Sequence, residues 1–293
     1  MKPPRFRYTA PTLLEEALTL LANFGAEAKI LAGGQSLIPL LNMRLAGPDY
    51  LIDINRIAEL NYIEEEDGYL AIGAGIRQRQ VENSALVRQQ SPLLLEAIEQ
   101  IAHPQIRNRG TIVGSIAHAD PAGELPALLT CLRGEVVALS LRGERIIKAQ
   151  DFFTGYLSTA LEPDELLTEV RFPWIPPQAG VSFMEFSRRT GDYALAGIAA
   201  ALVPGLDDRC FEARVAFLGI AGAPVRALAL EQLLIGTELS ERDLTLAGEA
   251  AAELVSEDVE DIHATTAYRR SLTMELTKRA LRLAWVRREH EKV

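Results

Sequence analysis

Three stretches of the chain hold residue types whose spacing could do chemistry. The first runs Lys29-Ile30-Leu31-Ala32-Gly33-Gly34-Gln35-Ser36-Leu37. A short apolar strand enters two glycines and then a helix start. Backbone without side chains approaches a ligand closely, and successive N–H groups can converge on one anion. The pattern is neither GxGxxG nor a Walker loop, which ends Gly-Lys-Ser/Thr. A tight strand-to-helix turn with Ser36 as N-cap gives the same string.

The second stretch is Arg107-Asn108-Arg109-Gly110-Thr111-Ile112-Val113-Gly114-Ser115-Ile116, continuing through His118, Asp120, Pro121, Gly123 and Glu124. Small residues and hydroxyls lie between arginines and acids. That chemistry suits a diphosphate joined to a hydroxyl-bearing chain, with Asp120 or Glu124 accepting from the hydroxyls. The plainer alternative is a glycine-rich loop with an Asp-Pro turn before a helix over 125–132. The third stretch is Phe186-Ser187-Arg188-Arg189-Thr190-Gly191-Asp192-Tyr193-Ala194. Tyr193 could stack on a flat cofactor; a hairpin with a packed tyrosine is the alternative.

Other chemistries are excluded by counting. The 293 residues include two cysteines, Cys131 and Cys210, and four histidines, His103, His118, His263 and His290. An iron–sulfur cluster normally takes four thiolates, so this chain cannot hold one alone. No CxxC pair or zinc spacing is present, and both cysteines read as small buried hydrophobes. A redox role therefore needs an organic cofactor, or metals carried on another chain. The formal net charge is −10, from 30 Lys+Arg against 40 Asp+Glu, which argues against extended nucleic-acid binding. No apolar run is long enough for a transmembrane segment, and no signal-peptide core follows the charged start, so a cytoplasmic protein is expected.

The elements that must position these stretches are legible from periodicity. Thr12-Leu13-Leu14-Glu15 has the form of a capping box, with Leu14, Ala17, Leu18 and Leu21 at helical spacing and Gly25 as the stop. Strands over 28–32 and 50–54 flank a helix from Leu37, a small α/β unit. Hairpins are expected across Glu66-Asp67-Gly68 and Arg142-Gly143, with helices over 79–83 and 92–102 and a strand over 165–172. The proline-rich run 173–180 breaks every pattern and marks a boundary. Strands over 182–187, 194–203 and 212–220 and helices over 241–254 and 265–288 follow. The last helix opens a basic run: residues 269–293 hold eight Lys/Arg and three Asp/Glu, read as a solvated helix face.

Taken in order, the glycine pair, "QIRNRGTIVGS", "AHADPAGELP", "FFTGYLSTALEPDELLTEVRFP" and "RRTGDYALAG" resemble the FAD-binding medium subunit of molybdenum hydroxylases, the carbon monoxide dehydrogenase and xanthine dehydrogenase family. The resemblance implies an α+β chain with an FAD-binding fold of the p-cresol methylhydroxylase/vanillyl-alcohol oxidase type. Its two α/β subdomains (about 1–55 and 56–176) precede a C-terminal domain (177–293) of a small antiparallel sheet with helices. It implies FAD held by Ile30, Leu31, Ala32, Gly33, Gly34, Gln35, Ser36 and Leu37 in one pyrophosphate loop, and the lack of a histidine or cysteine placed to tether the flavin makes non-covalent binding the expectation. Thr111, Ile112, Val113, Gly114 and Ser115 form the other. Asp120 and Glu124 match the acidic turn, Glu124 on the adenosine side. Ile101 and Leu167 match apolar contacts, and Asp192 and Tyr193 match a segment lying against the isoalloxazine. Two positions depart from the family: Val113 stands where adjacent glycines are usual, and Gln35 where a histidine often stands. The implied role is electron transfer inside a hetero-oligomeric oxidoreductase. A small iron–sulfur subunit with [2Fe-2S] clusters and a large molybdopterin subunit are its partners, and NAD, a quinone or another acceptor takes the electrons. The alternatives are a self-sufficient FAD oxidase or dehydrogenase using His118 or Tyr193 as base, and a scaffold subunit without flavin.

Overall fold

The computed structural model describes residues 2–288, so His290 and the end of the basic run lie outside the described residues. The chain opens with β1 (Arg7–Thr9), α1 (Leu14–Phe24), β2 (Ala28–Leu31), α2 (Leu37–Met43) and β3 (Tyr50–Asp53). These strands form a parallel sheet in the order β1-β3-β2. The buried Ala17, Leu18 and Leu21 show why α1 forms where it does: its apolar stripe covers this sheet. Gly25, at φ 47°, ends the helix as expected. The capping box does not form as the sequence suggests. Leu13 is the N-cap, and the Thr12 N–H donates to Glu16, one residue beyond Glu15. β1 is fully exposed along its length, so no apolar alternation announces it in the sequence.

β4 (Ile63–Glu66) and β5 (Tyr69–Gly73) form the first expected hairpin. Five short helices follow: α3 (Gln78–Glu82), α4 (Ala85–Gln90), α5 (Pro92–Gln100), α6 (Pro104–Arg107) and α7 (Ile112–His118). α8 (Glu124–Cys131) follows, then the second hairpin, β6 (Glu135–Ser140) and β7 (Gly143–Lys148). α9 (Ala149–Phe152), the ribbon β8 (Phe153–Gly155) and β9 (Ser158–Thr159), and β10 (Leu166–Pro173) complete this half. β10 joins the two hairpins into an antiparallel sheet, β4-β5-β10-β6-β7.

After the proline-rich run, β11 (Gly180–Phe186), β12 (Ala196–Pro204), β13 (Cys210–Leu218) and the short β14 (Val225–Arg226) form an antiparallel sheet. α10 (Leu228–Leu234), α11 (Glu241–Ala252) and α12 (Thr266–Arg287) cover one face of it. Its other face packs on the first half of the chain. Strand alternation sorts the two: Val181, Phe183, Ala199 and Ala201 join the core around α5 and α8, whereas Met184, Ile198, Ala200 and Leu202 pack with α10–α12. α8 lies in the seam, with the buried Cys131 thiol 3.3 Å from the Ala199 carbonyl. Both cysteines are free and buried, as their types suggest.

The basic face of α12 is not simply solvated. Arg270, Arg279, Arg282, Arg287 and Arg288 pair with Glu257, Glu275, Glu241, Glu96 and Asp208. Arg269 is buried at 5% exposure. Its guanidinium donates to the Leu195 and Gly219 carbonyls at 2.6 and 3.1 Å and to Asp261 at 2.9 Å. Arg269→Met would leave the Leu195 and Gly219 carbonyls without this donor, while Asp261 keeps the His263 and Ala264 N–H groups. The expected loss is about 1–3 kcal/mol, the cost of buried acceptors left unsatisfied. Calorimetric melting of the variant, with Arg279→Met as an exposed control expected to change little, measures it.

Candidate cofactor site

The first and second stretches meet. β2 delivers Ile30 and Leu31 to the sheet's carboxyl end, Ala32 to Ser36 form the loop, and Leu37 begins α2. A side chain at Gly33 would stand 2.4 Å from the Arg109 carbonyl oxygen and 2.7 Å from Gly110 Cα. Gly33 is therefore the point where the two loops touch backbone to backbone. Gly34, at φ 74°, turns the chain into α2 in the left-handed region that favours glycine. Ser36 occupies the N-cap position but its hydroxyl makes no capping bond. Among the described residues, the backbone N–H groups of Gly33, Gly34, Gln35 and Ser36 donate to no protein acceptor. They form a short run of free donors, the feature that binds anions in backbone nests.

Asn55, Arg77 and Gln78, which carry no motif signal, fasten these loops. Asn55 Nδ2 donates to the Ala32 carbonyl at 2.9 Å and Arg77 Nη1 to the Arg109 carbonyl at 2.7 Å. Arg77 also donates to the Asn55 side-chain oxygen. The Gln78 N–H donates to the Gly110 carbonyl at 2.8 Å, while its side-chain Oε1 is buried without a partner.

Thr111 caps α7, its hydroxyl accepting from the Gly114 N–H at 3.0 Å. Gly114 lies under that hydroxyl, and a Cβ there would also face Ala32 at 3.8 Å. Ile112 and Val113 are enclosed in the core at 0% and 2% exposure, backbone included. Val113 thus replaces a glycine without obstructing the loop, because its side chain is buried. Arg107 is not available either: it is buried, bonded to Glu82 and to the Ile101 carbonyl. Ile101 and Leu167 are core residues at 7% and 4% exposure.

α7 spans about 10 Å and connects this region to a second group. At its end His118 Nε2 lies 4.0 Å from Asp120, whose other oxygen accepts from the Ala122 N–H at 2.9 Å. Burial lowers the His118 pKa, with Asp120 opposing. Glu124 opens α8 behind Gly123, so Asp120 is not the cap. Burial pushes the Glu124 carboxyl up to about 7; its own backbone N–H opposes the shift and Asp120 adds to it.

The third stretch comes to the same place. The β11–β12 loop carries Asp192 and Tyr193, and Tyr193 is 67% exposed, so it is not the packed hairpin tyrosine of the plainer reading. Desolvation and the charges of Asp120 and Glu124 raise its pKa, which keeps the phenol protonated and puts it beside the acidic turn. Gly191, at φ 88°, seats the loop on the His103 ring, where a Cβ would stand 2.4 Å from the imidazole. Arg188 Nη1 meets His263 Nδ1 at 2.5 Å on the other side. Glu185, at the end of β11, was missed; an acid in the row Val181, Phe183, Glu185 that otherwise faces the core was its only signal.

No group of three or more His, Cys, Asp or Glu that could hold a metal ion occurs among the described residues. No helix among them is long and apolar enough to cross a membrane.

Residues 4–175 match the family of FAD binding domains in molybdopterin dehydrogenase, and residues 181–284 match the CO dehydrogenase flavoprotein C-terminal domain. The chain is 43% identical over 281 residues to the 6-hydroxypseudooxynicotine dehydrogenase complex subunit alpha of Paenarthrobacter nicotinovorans, covering 96% of this chain and 95% of that one. It is 38% identical over 287 residues to the carbon monoxide dehydrogenase medium chain of Hydrogenophaga pseudoflava, covering 98% and 99%. A solved structure of carbon monoxide dehydrogenase from Hydrogenophaga pseudoflava superposes with a TM-score of 0.95, covering 99% of this chain and 100% of that one at 38% identity. The two domain matches, the whole-length relatives and the shared fold together place this chain in the family of FAD-binding medium subunits of molybdenum hydroxylases.

Proposed function

We propose that this chain holds FAD between its two glycine loops and its acidic turn, and serves as the electron-transfer subunit of a three-part molybdenum hydroxylase. The observation that carries the reading is the meeting of the loops at Gly33 and Arg109-Gly110, beside a run of free backbone N–H groups. A dinucleotide fits this donor set. The free N–H groups of Gly33 to Ser36 suit the diphosphate, and the half-buried Ser115 hydroxyl extends the same edge. Asp120 and Glu124 suit ribose or ribityl hydroxyls, and the exposed Tyr193 ring suits the flat isoalloxazine. Ile101 and Leu167, being buried, shape the wall rather than touch a polar group.

FAD, when bound, supplies the exchange of electrons between the clusters of a partner chain and an external acceptor. The protein's part is to bind, orient and shield. Asn55 and Arg77 hold the two loops at a fixed separation, so their donors need not reorganise. Tyr193 stays a neutral phenol, because desolvation and the charges of Asp120 and Glu124 raise its pKa, and burial keeps His118 neutral near pH 7 against the opposing charge of Asp120. The protonated Tyr193 is not a ready base, whereas the neutral His118 is base-competent, so mixing with substrate in the absence of partner chains separates this reading from the self-sufficient oxidase.

The partners are taken to be a small iron–sulfur chain and a large molybdopterin chain, with NAD, a quinone or another carrier as acceptor, in the cytoplasm. The domains are taken as 1–176 and 177–293. No cysteine or histidine side chain lies in either glycine loop, so attachment is non-covalent. Denaturing the purified yellow chain should release all its flavin as free FAD; colour retained on the unfolded polypeptide would show a covalent bond. A chain that takes up no FAD when titrated would overturn the reading.

A further inference from the structure

The two glycines of the first loop leave its peptides a choice of orientation. Each trans peptide points its C=O and its N–H to opposite sides. An edge that presents N–H groups to an anion therefore presents carbonyls away from it. Gly34 sits at φ 74°, and glycine takes either sign of φ about as readily. Turning over the peptide between Gly33 and Gly34 changes ψ of the first and φ of the second, and neither residue has the Cβ that would oppose it. In the turned form the Gly33 carbonyl would face the anion and the Gly34 N–H would point away. A donor beside a phosphate makes a charge-assisted bond and a carbonyl there repels, so one peptide decides the sign of the loop's interaction.

Two side chains oppose that turn. Asn55 Nδ2 donates to the Ala32 carbonyl at 2.9 Å, which fixes the peptide that carries the Gly33 N–H. Gln35 Nε2 donates to the Gly33 carbonyl at 3.2 Å, which fixes the next peptide, the one that carries the Gly34 N–H. A carbonyl only accepts, so the amide nitrogen of Gln35 and not its oxygen must face Gly33. Neither the Gly33 nor the Gly34 N–H is used by the protein among the described residues. Asn55 is itself braced: Asp53 accepts from its backbone N–H at 2.8 Å and from its Nδ2 at 2.5 Å, and Arg77 donates to its Oδ1. The half-buried Gln35 side chain makes no other hydrogen bond among the described residues, so its bond to Gly33 is what it contributes.

We infer that Gln35 is a positioning residue: it holds the Gly33–Gly34 peptide with its N–H on the ligand side, and so sets the loop to receive a diphosphate. Asn55 does the same for the peptide before it. The inference rests on the reading of this loop as the diphosphate site and deepens it, because it assigns the direction of the backbone donors to side chains that act through the carbonyls behind them.

ADP is the probe, since it carries the diphosphate without the isoalloxazine. Gln35→Leu keeps the bulk and removes the donor. In the full chain it should weaken both ADP and FAD about tenfold, the scale of one hydrogen bond to a charged group, with calorimetric titration as the measurement. The melting temperature of the ligand-free chain should stay the same. Gln35→His returns a ring N–H donor to the position and should recover most of the loss. Wild-type affinity in Gln35→Leu, or Gln35→His as weak as Gln35→Leu, would overturn the inference.

If Gln35→Leu does not fold, the amide proton resonances of the wild-type chain decide. Adding ADP should move both the Gly33 and the Gly34 N–H resonances downfield, the signature of donation to a phosphate. A Gly34 resonance that stays in place while ADP binds overturns the inference alone. A wild-type chain that binds neither FAD nor ADP overturns the proposed function, and the inference with it.

Discussion

Gly33→Val is expected to leave a folded chain that no longer retains FAD. The side chain cannot be accommodated by rotating a neighbour, because what it meets is backbone: the Arg109 carbonyl at 2.4 Å and Gly110 Cα at 2.7 Å. One loop must move away from the other. Overpacking of this kind costs about 1–3 kcal/mol, small against the core buried elsewhere, so folding should survive. The displaced loop carries the free N–H groups of Gly33 to Ser36 and is anchored through the Ala32 carbonyl to Asn55. FAD affinity should fall at least about a hundredfold, or roughly 2.7 kcal/mol. Fluorescence titration measures this, with circular dichroism to confirm the fold. Gly114→Ala should have a smaller effect, because it strikes only the Thr111 hydroxyl at 2.5 Å and costs about one capping bond. Unchanged affinity in Gly33→Val would show that the loop junction is an ordinary turn.

The second large effect is a division of labour. The FAD-loaded chain by itself should pass electrons to an acceptor and should not oxidise the substrate of the complex. The described residues hold no metal-binding group of His, Cys, Asp or Glu, and the two cysteines are buried, free and pushed up to about 12 by burial. Neither thiol can serve as a nucleophile or cluster ligand in that state. Of the candidate bases, Tyr193 is held as a protonated phenol, whereas His118 is held as the neutral imidazole a base would use, so mixing with candidate substrates tests it. Anaerobic mixing with carbon monoxide, a purine, nicotinate or an aldehyde should therefore leave the flavin absorbance intact, and turnover should return only when both partner chains are added. Bleaching by any one of these without partners would promote the self-sufficient flavoenzyme, with His118→Ala and Tyr193→Phe the variants to examine next.

Much of this was legible in the sequence because it depends on local rules. The glycine pair, the two hairpins with their turn residues, the break at 173–180 and the long α12 follow from backbone freedom, period-2 alternation, proline's missing donor and helical spacing. Two buried cysteines and four histidines sufficed to deny the chain a cluster of its own. Elements without an amphipathic signature escaped: β1 is exposed on both faces, and α4, α10 and β14 are short pieces ordered by neighbours.

What only the tertiary structure decided is which parts touch. The strings around Gly33 and Gly110 give no sign that one presses on the other, and the expected reason for Gly33, approach to a ligand, is at least equally approach to Arg109. Val113 looks like a defect in a glycine loop until its burial shows that its side chain is in the core. Asn55, Arg77 and Gln78 are unremarkable in sequence and become the fasteners of the site. Sequence periodicity reports which face of an element is apolar; it carries no information on which other face will cover it, and long-range electrostatics between buried groups depends on that covering.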